Sequence, residues 1–164
     1  MTPSLPPILQ TSTPYDRLRE LGLTLPRLPP AIANFVPFVR DGNLLYLSGQ
    51  GPVHAGGFHT GKVGAEVTIE RAYEHAKLAG LNLLAAAEEA LGSLTKVRKV
   101  VKLFGMVNAA ADFVAHPLVI NGCSDLLISV FGPEVGRHAR SAVGMGSLPG
   151  QITVELEMIL AIDN

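Results

Sequence analysis

The stretch RHARSAVGMGSLPGQITVELEMI, residues 137–159, decides the fold and raises the functional question. Apolar residues alternate with polar or small ones on both sides of a Leu148-Pro149-Gly150 turn, which indicates two strands joined by that turn. The first strand carries Arg140 among small residues, and the second carries Glu155 and Glu157. These charges form either an exposed, ion-paired surface or a site that binds a carboxylate.

Side-chain alternation along each strand assigns the charges to faces. In the second strand the apolar residues share one face, which must pack on helices, and Glu155 and Glu157 share the other. If the two strands pair across the tight turn, Arg140 lies on the glutamate face. We therefore expect all three charges to point away from the helices. Ala142 and the nearby glycines leave room there for a small ligand beside the guanidinium, whose planar fork suits a carboxylate.

A hairpin is predicted upstream, within FVPFVRDGNLLYLSGQ at residues 35–50. The Asp41-Gly42 pair between two β-rich runs is a strong signal for a two-residue turn. Pairing Arg40 with Asn43 then places Phe35 opposite Ser48. Phe35 and the Ser48-Gly49-Gln50 segment are therefore expected to be neighbours.

The remaining elements follow from periodicity and capping. A long helix begins after Thr68, a plausible N-cap, and ends before Gly92. VRKVVKLFGMVNA at 97–109 is a strand predicted to be buried on both faces, and a second helix runs from about Pro117 to Phe131. The glycine-rich segment 51–67 is a loop or a short strand pair. The order of elements predicts an α+β sheet with two helices on one face.

Two segments are expected along the chain. Residues 1–32 form a proline-rich N-terminal arm with one short helix at Tyr15–Leu23, and residues 33–164 form the main domain. A chain of 164 residues with 48% apolar and 16% charged residues is long enough for one core and too apolar for disorder.

Composition also bears on partners. The mean hydropathy of +0.32 is high for a soluble monomer, yet no run approaches the roughly 20 apolar residues of a membrane span. We therefore expect a homo-oligomer with buried interfaces and no membrane partner. The net charge of −1 gives no electrostatic footprint for nucleic acid. A single cysteine and an N-terminus without a basic or apolar signal region favour the cytoplasm.

Other chemistries find little support in the sequence. The five histidines are scattered, with no HExxH motif and no companion cysteines, so no metal site is expected. Cys123 falls on the apolar stripe of the second helix and is predicted to be a buried structural thiol rather than a nucleophile. GPVHAGG lacks the context and the lysine of a P-loop, which argues against nucleotide binding.

Four motifs taken together resemble the Rid family (YjgF/RidA, once labelled endoribonuclease L-PSP). They are SGQGP at 48–52, NGCSDLL at 121–127, HARSAVG at 138–144 and LPxxxxVExE from Leu148. The pattern is most similar to a divergent branch of that family, and the likeness extends over about residues 34–162. The spacing between Arg140 and Glu155 matches the spacing between the family's catalytic arginine and its catalytic glutamate.

The resemblance implies a chorismate-mutase-like α+β fold and a homotrimer whose sheets form a central barrel with three clefts between subunits. It also implies hydrolysis of reactive 2-imino or 2-enamino acids to 2-keto acids and ammonia, without metal or organic cofactor. By position, Arg140 would grip the substrate carboxylate and Glu155 would position or activate water. Gly49 would offer its backbone to the ligand, Asn121 would support the site, and Ala142 stands where a small residue touches the ligand.

This sequence departs from the family at two places. The segment between Asn121 and Arg140 looks about two residues longer than in typical members. Phe35 stands where active deaminases usually have a tyrosine, so the ring remains but the hydroxyl is missing. Phe35 is equally compatible with a plain hairpin core residue.

Three functions therefore stay open. The first is an imine deaminase that depends on Arg140 and Glu155. The second is a non-catalytic trimer that binds small carboxylates or regulates a partner, which Phe35 favours. The third is the ribonuclease of the old family label, which the near-neutral charge disfavours.

Overall fold

The structure, a computed structural model, describes residues 12–28, 30 and 33–163. Its main sheet has five strands in the order β1-β2-β7-β5-β6, and a separate hairpin joins β3 and β4. The strands are β1 Phe38–Asp41, β2 Leu44–Gln50, β3 Val53–His54, β4 Gly57–Phe58, β5 Val97–Asn108, β6 Ala139–Met145 and β7 Val154–Ile162. The helices are α1 Pro14–Glu20, α2 Ile69–Leu91 and α3 His116–Gly136. The mixed sheet with helices confirms the predicted α+β class.

The two ends of α2 are confirmed where the capping signals predicted them. The Thr68 side chain accepts a hydrogen bond from the backbone N–H of Arg71, and Gly92 closes the helix in the left-handed conformation with φ of 72°. Small residues then allow α2 and α3 to pack closely, because a Cβ at Gly122 would overlap the backbone carbonyl of Tyr73. This contact fixes the position of α3 relative to α2.

Helix α3 extends beyond its predicted end. It is interrupted at Gly132, where φ is 81°, and Pro133 follows within its final turn. By length and composition alone, α3 passes as a membrane-spanning helix. Its apolar side packs against α2 and β5, as in a core helix.

The short helix predicted near the N-terminus is present as α1. Its Leu18 is buried, and the Arg17 guanidinium donates to the backbone carbonyl of Val130 at 3.2 Å. The hydroxyl of Tyr15 accepts from the backbone N–H of Leu94 at 2.8 Å. This part of the N-terminal segment is therefore packed on the domain, while residues 1–11, 29 and 31–32 of the predicted arm lie outside the described residues.

The predicted β1-β2 hairpin is present, but its predicted register is wrong by two residues. Asp41 pairs with Leu44, so Gly42 and Asn43 form the turn. Gly42 adopts φ of +56°, which a glycine supplies without steric cost. The shift places Pro37 opposite Ser48, whose backbone N–H donates to the Pro37 carbonyl at 3.0 Å.

The predicted pairing of the last two strands is also wrong. β5 lies between them, parallel to β6 and antiparallel to β7. The turn at Pro149–Gln151 is part of a crossing connection rather than a hairpin loop. Strand β6 is therefore an edge strand. The registers of β5 with β6 and of β5 with β7 determine which residues of β6 and β7 share a face of the sheet.

One face of the sheet is covered by helices and the other is open in the single chain. On the covered face, Leu103, Leu156 and Met158 are almost fully buried. On the open face, Val39 and Tyr46 are 54% and 40% exposed, and the polar neighbours Lys102 and Glu157 lie nearby on the same side. The prediction that β5 is buried on both faces is therefore wrong for the single chain.

Candidate functional site

Arg140 lies on the helix-covered side of the edge strand β6. It pairs with Leu103 of β5, which in turn pairs with the buried Met158 of β7. Paired residues on neighbouring strands share a face. The side chain of Arg140 therefore points toward α3, and the prediction that it points away from the helices is wrong.

Three hydrogen bonds hold the Arg140 guanidinium. Its Nη1 donates to Asn121 Oδ1 at 2.8 Å and to Ser124 Oγ at 3.0 Å, and its Nη2 donates to the Pro117 carbonyl at 3.4 Å. Arginine has five N–H donors. In the part of the chain that the structure describes, Nε and one N–H of Nη2 have no recorded partner. That pair of donors can bind a carboxylate through two hydrogen bonds.

Asn121 and Ser124 lie about one turn apart on α3, so both side chains face β6. Ser124 Oγ is also 3.0 Å from Nε2 of His138, whose Nδ1 is 2.6 Å from the carbonyl oxygen of Gly136. We call Arg140, Asn121, Ser124 and His138 the arginine half-site. One chain supplies all of its contacts.

Ala142 lies beyond Arg140 on the same face of β6 and packs partly against the core. Two residues further, a Cβ at Gly144 would overlap the His116 imidazole at the start of α3. The His116 ring therefore occupies the space that a side chain at position 144 would take. Room for a ligand beside the guanidinium stays a prediction, and Ala142 lies on the helix side rather than on the open face.

Glu155 lies on β7 opposite Met106 of β5, on the open face of the sheet. β2 changes register between Leu47 and Gln50 at this point. The backbone of Gly49 is so close that a Cβ there would overlap the Glu155 carboxylate. A glycine at position 49 therefore lets the carboxylate lie against the bulged strand.

The environment of Glu155 makes its carboxylate a stronger base. Burial raises the pKa of the Glu155 carboxyl above its usual value, and the negative charge of Glu157 raises that pKa further. A carboxylate with a raised pKa accepts a proton from water more readily near neutral pH. This is the property that activation of an attacking water needs.

The chain next to Phe35 is attached to β2, the strand that carries Gly49. Ser48 Oγ donates to the carbonyl of Val36 at 2.6 Å, which ties the segment after Phe35 to β2 beside Gly49. The Phe35 side chain is 47% exposed, so it is not a core residue of the single chain. We call Glu155, Gly49 and Phe35 the glutamate half-site.

The two half-sites lie on opposite faces of the sheet. Arg140 shares the covered face with Leu103 and Met158, whereas Glu155 shares the open face with Met106. One chain therefore cannot bring the guanidinium and the carboxylate to the same small ligand. A site that uses both needs a second copy of the chain.

The histidines are less scattered than predicted. The rings of His54 and His59 are 4.3 Å apart, and those of His59 and His75 are stacked at 4.0 Å. Burial and the other rings lower the pKa of His75 to about 4, and its Nδ1 lies 3.0 Å from Thr153 Oγ1. Stacked rings do not direct their nitrogens at a common point. Within residues 12–28, 30 and 33–163 no cluster of metal-ligating side chains is found.

Cys123 is fully buried, and that burial raises the pKa of its thiol to about 12. The predicted structural thiol is confirmed.

A concavity of about 630 Å³ lies on the open face beside Tyr46, Lys102 and Glu157. Neither Arg140 nor Glu155 lines it, so it is a different place from the two half-sites.

Comparison with known proteins matches residues 15–155 to the family described as "YjgF/chorismate_mutase-like, putative endoribonuclease". The chain belongs to the YjgF family. Among its YjgF-like relatives, protein TCP17 of Trypanosoma cruzi is 40% identical over 148 residues, which cover 90% of this chain and 92% of that protein.

Three crystal structures extend this comparison. Atu1372 of Agrobacterium tumefaciens, of unknown function, is 47% identical with a TM-score of 0.84, covering 93% of each chain. A candidate endoribonuclease of Shewanella oneidensis is 32% identical with a TM-score of 0.88, covering 92% of this chain and all of that one. RidA of Psychrobacter sp. is 27% identical with a TM-score of 0.53, covering 82% and 94%.

Sequence reasoning placed neither Ser124 nor His138 beside Arg140, where the structure has them. A signal for both was available. Asn121 and Ser124 are three apart on a helix, and His138 and Arg140 are two apart at the start of a strand, so each pair shares a face.

Proposed function

We propose that this YjgF-family chain hydrolyses reactive 2-imino or 2-enamino acids to 2-keto acids and ammonia, in clefts between the subunits of a homotrimer. The observation that carries the proposal is the division of the site. A preoriented guanidinium and a desolvated carboxylate lie on opposite faces of one chain, so a second copy must supply one of them. The exposed apolar residues of the open face would then be covered by subunit contacts.

The chemistry follows from the two half-sites. Arg140 binds the substrate carboxylate through the free donors of its fork, and the neighbouring β6 backbone at Ala142 contacts the ligand. A water beside the Glu155 carboxylate attacks the imine carbon and gives its proton to Glu155. The C=N bond becomes a C–N single bond in a tetrahedral carbinolamine. The nitrogen of this intermediate takes the proton that Glu155 accepted from the water.

As this carbinolamine collapses, its hydroxyl proton passes through Glu155 to the nitrogen while the C=O bond forms and the C–N bond breaks, so that ammonia leaves. Imines of this kind already hydrolyse in water, so holding the substrate beside one positioned water supplies much of the rate. No step needs a metal or an organic cofactor. Asn121 acts on the substrate only through the orientation of Arg140.

Phe35 favours a second candidate, a non-catalytic trimer that binds small carboxylates. Without a tyrosine hydroxyl, the glutamate half-site has one fewer group to orient water or the imine. The ribonuclease named in the family description has less support, because the net charge of −1 offers little attraction to phosphates. The proposed location in the cytoplasm fits a small-metabolite enzyme.

The test generates 2-iminopropionate in situ with an amino-acid oxidase and follows its decay with wild type, Arg140→Ala and Phe35→Tyr. Arg98→Ala is the matched control, since Arg98 is exposed and forms an exposed ion pair with Asp163 at 3.6 Å. The proposal expects faster decay with wild type and Arg98→Ala but not with Arg140→Ala. No acceleration by wild type, with a gain in Phe35→Tyr, would move the assignment to another imine or to ligand binding.

A further inference from the structure

The arginine half-site contains a histidine that the proposed chemistry does not use. His138 lies two residues before Arg140 and reaches the guanidinium only through Ser124. The distances are 2.6 Å from His138 Nδ1 to the Gly136 carbonyl oxygen, 3.0 Å from Nε2 to Ser124 Oγ, and 3.0 Å from Ser124 Oγ to Arg140 Nη1. This row of contacts ends at the proposed carboxylate anchor.

The direction of each hydrogen bond in this row is determined. The Gly136 carbonyl can only accept, so Nδ1 of His138 carries a proton. In a neutral imidazole, Nε2 then has a free lone pair and accepts from the Ser124 hydroxyl. Because that hydroxyl proton is committed to His138, a lone pair of Ser124 Oγ faces the Nη1 donor of Arg140.

The charge state of His138 supports this arrangement near neutral pH. Burial lowers the pKa of His138 below its usual value, the bond to the Gly136 carbonyl opposes that shift, and the positive charges of Arg140 and Lys99 lower the pKa further. The imidazole therefore stays neutral and remains an acceptor for Ser124.

Without this acceptor, Ser124 has a competing partner. A serine inside a helix readily turns its hydroxyl toward the backbone carbonyl four residues earlier. The Arg140 guanidinium would then lose a fixed acceptor and keep Asn121 as its main side-chain contact. The bond from Nη2 to the Pro117 carbonyl is long, at 3.4 Å, so one contact on Nη1 lets the planar fork pivot, whereas two contacts on Nη1 define its plane.

We propose that His138 is a positioning residue that, through Ser124, holds the Arg140 guanidinium in the orientation that receives the substrate carboxylate. The inference rests on the anchoring role proposed for Arg140. It concerns ligand affinity more than the chemical step, because His138 does not touch the reacting atoms.

The test measures the Kd for pyruvate, the keto acid that 2-iminopropionate would yield, by calorimetry at neutral pH. His138→Leu and Ser124→Ala should each weaken binding by about three- to tenfold, as expected for one lost hydrogen bond. His138→Gln, whose amide oxygen can accept from Ser124, should restore most of the affinity. The double variant with His138→Leu and Ser124→Ala should bind pyruvate as weakly as Ser124→Ala alone, because both changes remove the same contact to Arg140.

A kinetic readout separates positioning from general damage. KM should rise in His138→Leu while kcat changes little, and the exposed-ring control His54→Leu should leave both unchanged. Nitrogen NMR of the imidazole should show the neutral form protonated at Nδ1. An Nε2-protonated ring, unchanged pyruvate binding in His138→Leu, or additive effects of the two single changes would overturn the inference.

The same measurements distinguish this inference from the proposed function. If wild type binds pyruvate and the variants change the Kd as predicted, but wild type hydrolyses no imine, only the deaminase function is contradicted. Wild type that does not bind pyruvate would remove Arg140 as an anchor, and the positioning role with it. Normal turnover combined with an unaffected Kd in His138→Leu would sink the positioning role alone.

Discussion

The Arg140 guanidinium is held by three hydrogen bonds to its own chain, whereas the Glu155 carboxylate has no recorded hydrogen-bond partner within residues 12–28, 30 and 33–163. The difference separates two physical tasks. A cation that grips a carboxylate gains from a fixed fork, because less entropy is lost when the ligand binds. A carboxylate that activates water gains from burial without strong partners, because its pKa then rises.

The sharpest test of this division removes the charge of the glutamate half-site. Glu155→Gln should lower kcat for imine hydrolysis by about a hundredfold or more, since general base catalysis contributes factors of this size. The pyruvate Kd should stay within about twofold, because the arginine half-site is intact.

Glu157→Gln is the matched control for this change, since Glu157 is an exposed carboxylate on the same strand and face. At a pH well above the pKa of Glu155, the Glu157→Gln variant should retain nearly full turnover. Equal losses of binding in Glu155→Gln and Arg140→Ala would mean that the two half-sites do not divide the tasks.

Co-expression of two variants tests whether, in the proposed trimer, the two halves of the site come from different chains. Arg140→Ala and Glu155→Gln should each be strongly impaired alone. When the two variants are co-expressed in equal amounts, about one quarter of the clefts between subunits should combine both native side chains and recover activity. A single chain that carries both substitutions, mixed with wild type, controls for subunit exchange. No recovery in the mixture would contradict the division between subunits.

Gly49→Ala probes the contact that orients the carboxylate. The added methyl group would overlap the Glu155 carboxylate, which must rotate away or force β2 to shift. We expect kcat to fall by about tenfold, because a displaced carboxylate no longer holds the attacking water in its reacting position, with little change in pyruvate binding. Gly146→Ala is the control, because a Cβ there meets nothing within 4 Å. An unchanged kcat in Gly49→Ala would show that this carboxylate orientation is not required.

The smallest expected effect concerns the acid side of the pH profile. Glu155 must be ionised to act as a base, so kcat/KM should fall as pH decreases through its raised pKa. Removing the negative charge in Glu157→Gln lowers the pKa of Glu155, and the acid limb should move to lower pH. Pyruvate binding should lack this shift. A limb that stays in place would assign the titration to another group.

Local signals explain which elements could be predicted. The Thr68 cap and the Gly92 terminator act within one helical turn, so both ends of α2 were predicted correctly. The β1-β2 hairpin was also recognised, but its turn moved from Asp41-Gly42 to Gly42-Asn43. Both pairs suit a two-residue turn, and the choice between them depends on how β2 pairs with β7.

The site shows the same limit more clearly. Arg140, Asn121, Gly49 and Glu155 were identified from motifs, because residue type and spacing are properties of the chain. The faces of Arg140 and Glu155 were predicted by treating β6 and β7 as neighbours; the open face was correct for Glu155 and wrong for Arg140. Sequence spacing places Ser124 on the face of Asn121 and His138 on the face of Arg140, but no sequence pattern showed that α3 crosses the start of β6 and brings the two pairs together.

The sequence by itself determined the α+β class, the ends of α2, the family motifs and the charged residues of both half-sites. These depend on periodicity, capping and residue type, which act over a few neighbouring positions. Only the tertiary structure decided that β5 lies between β6 and β7, and thus that Arg140 and Glu155 occupy opposite faces. Strand order depends on long-range pairing and on which surfaces the helices can bury together, and no local pattern encodes that choice.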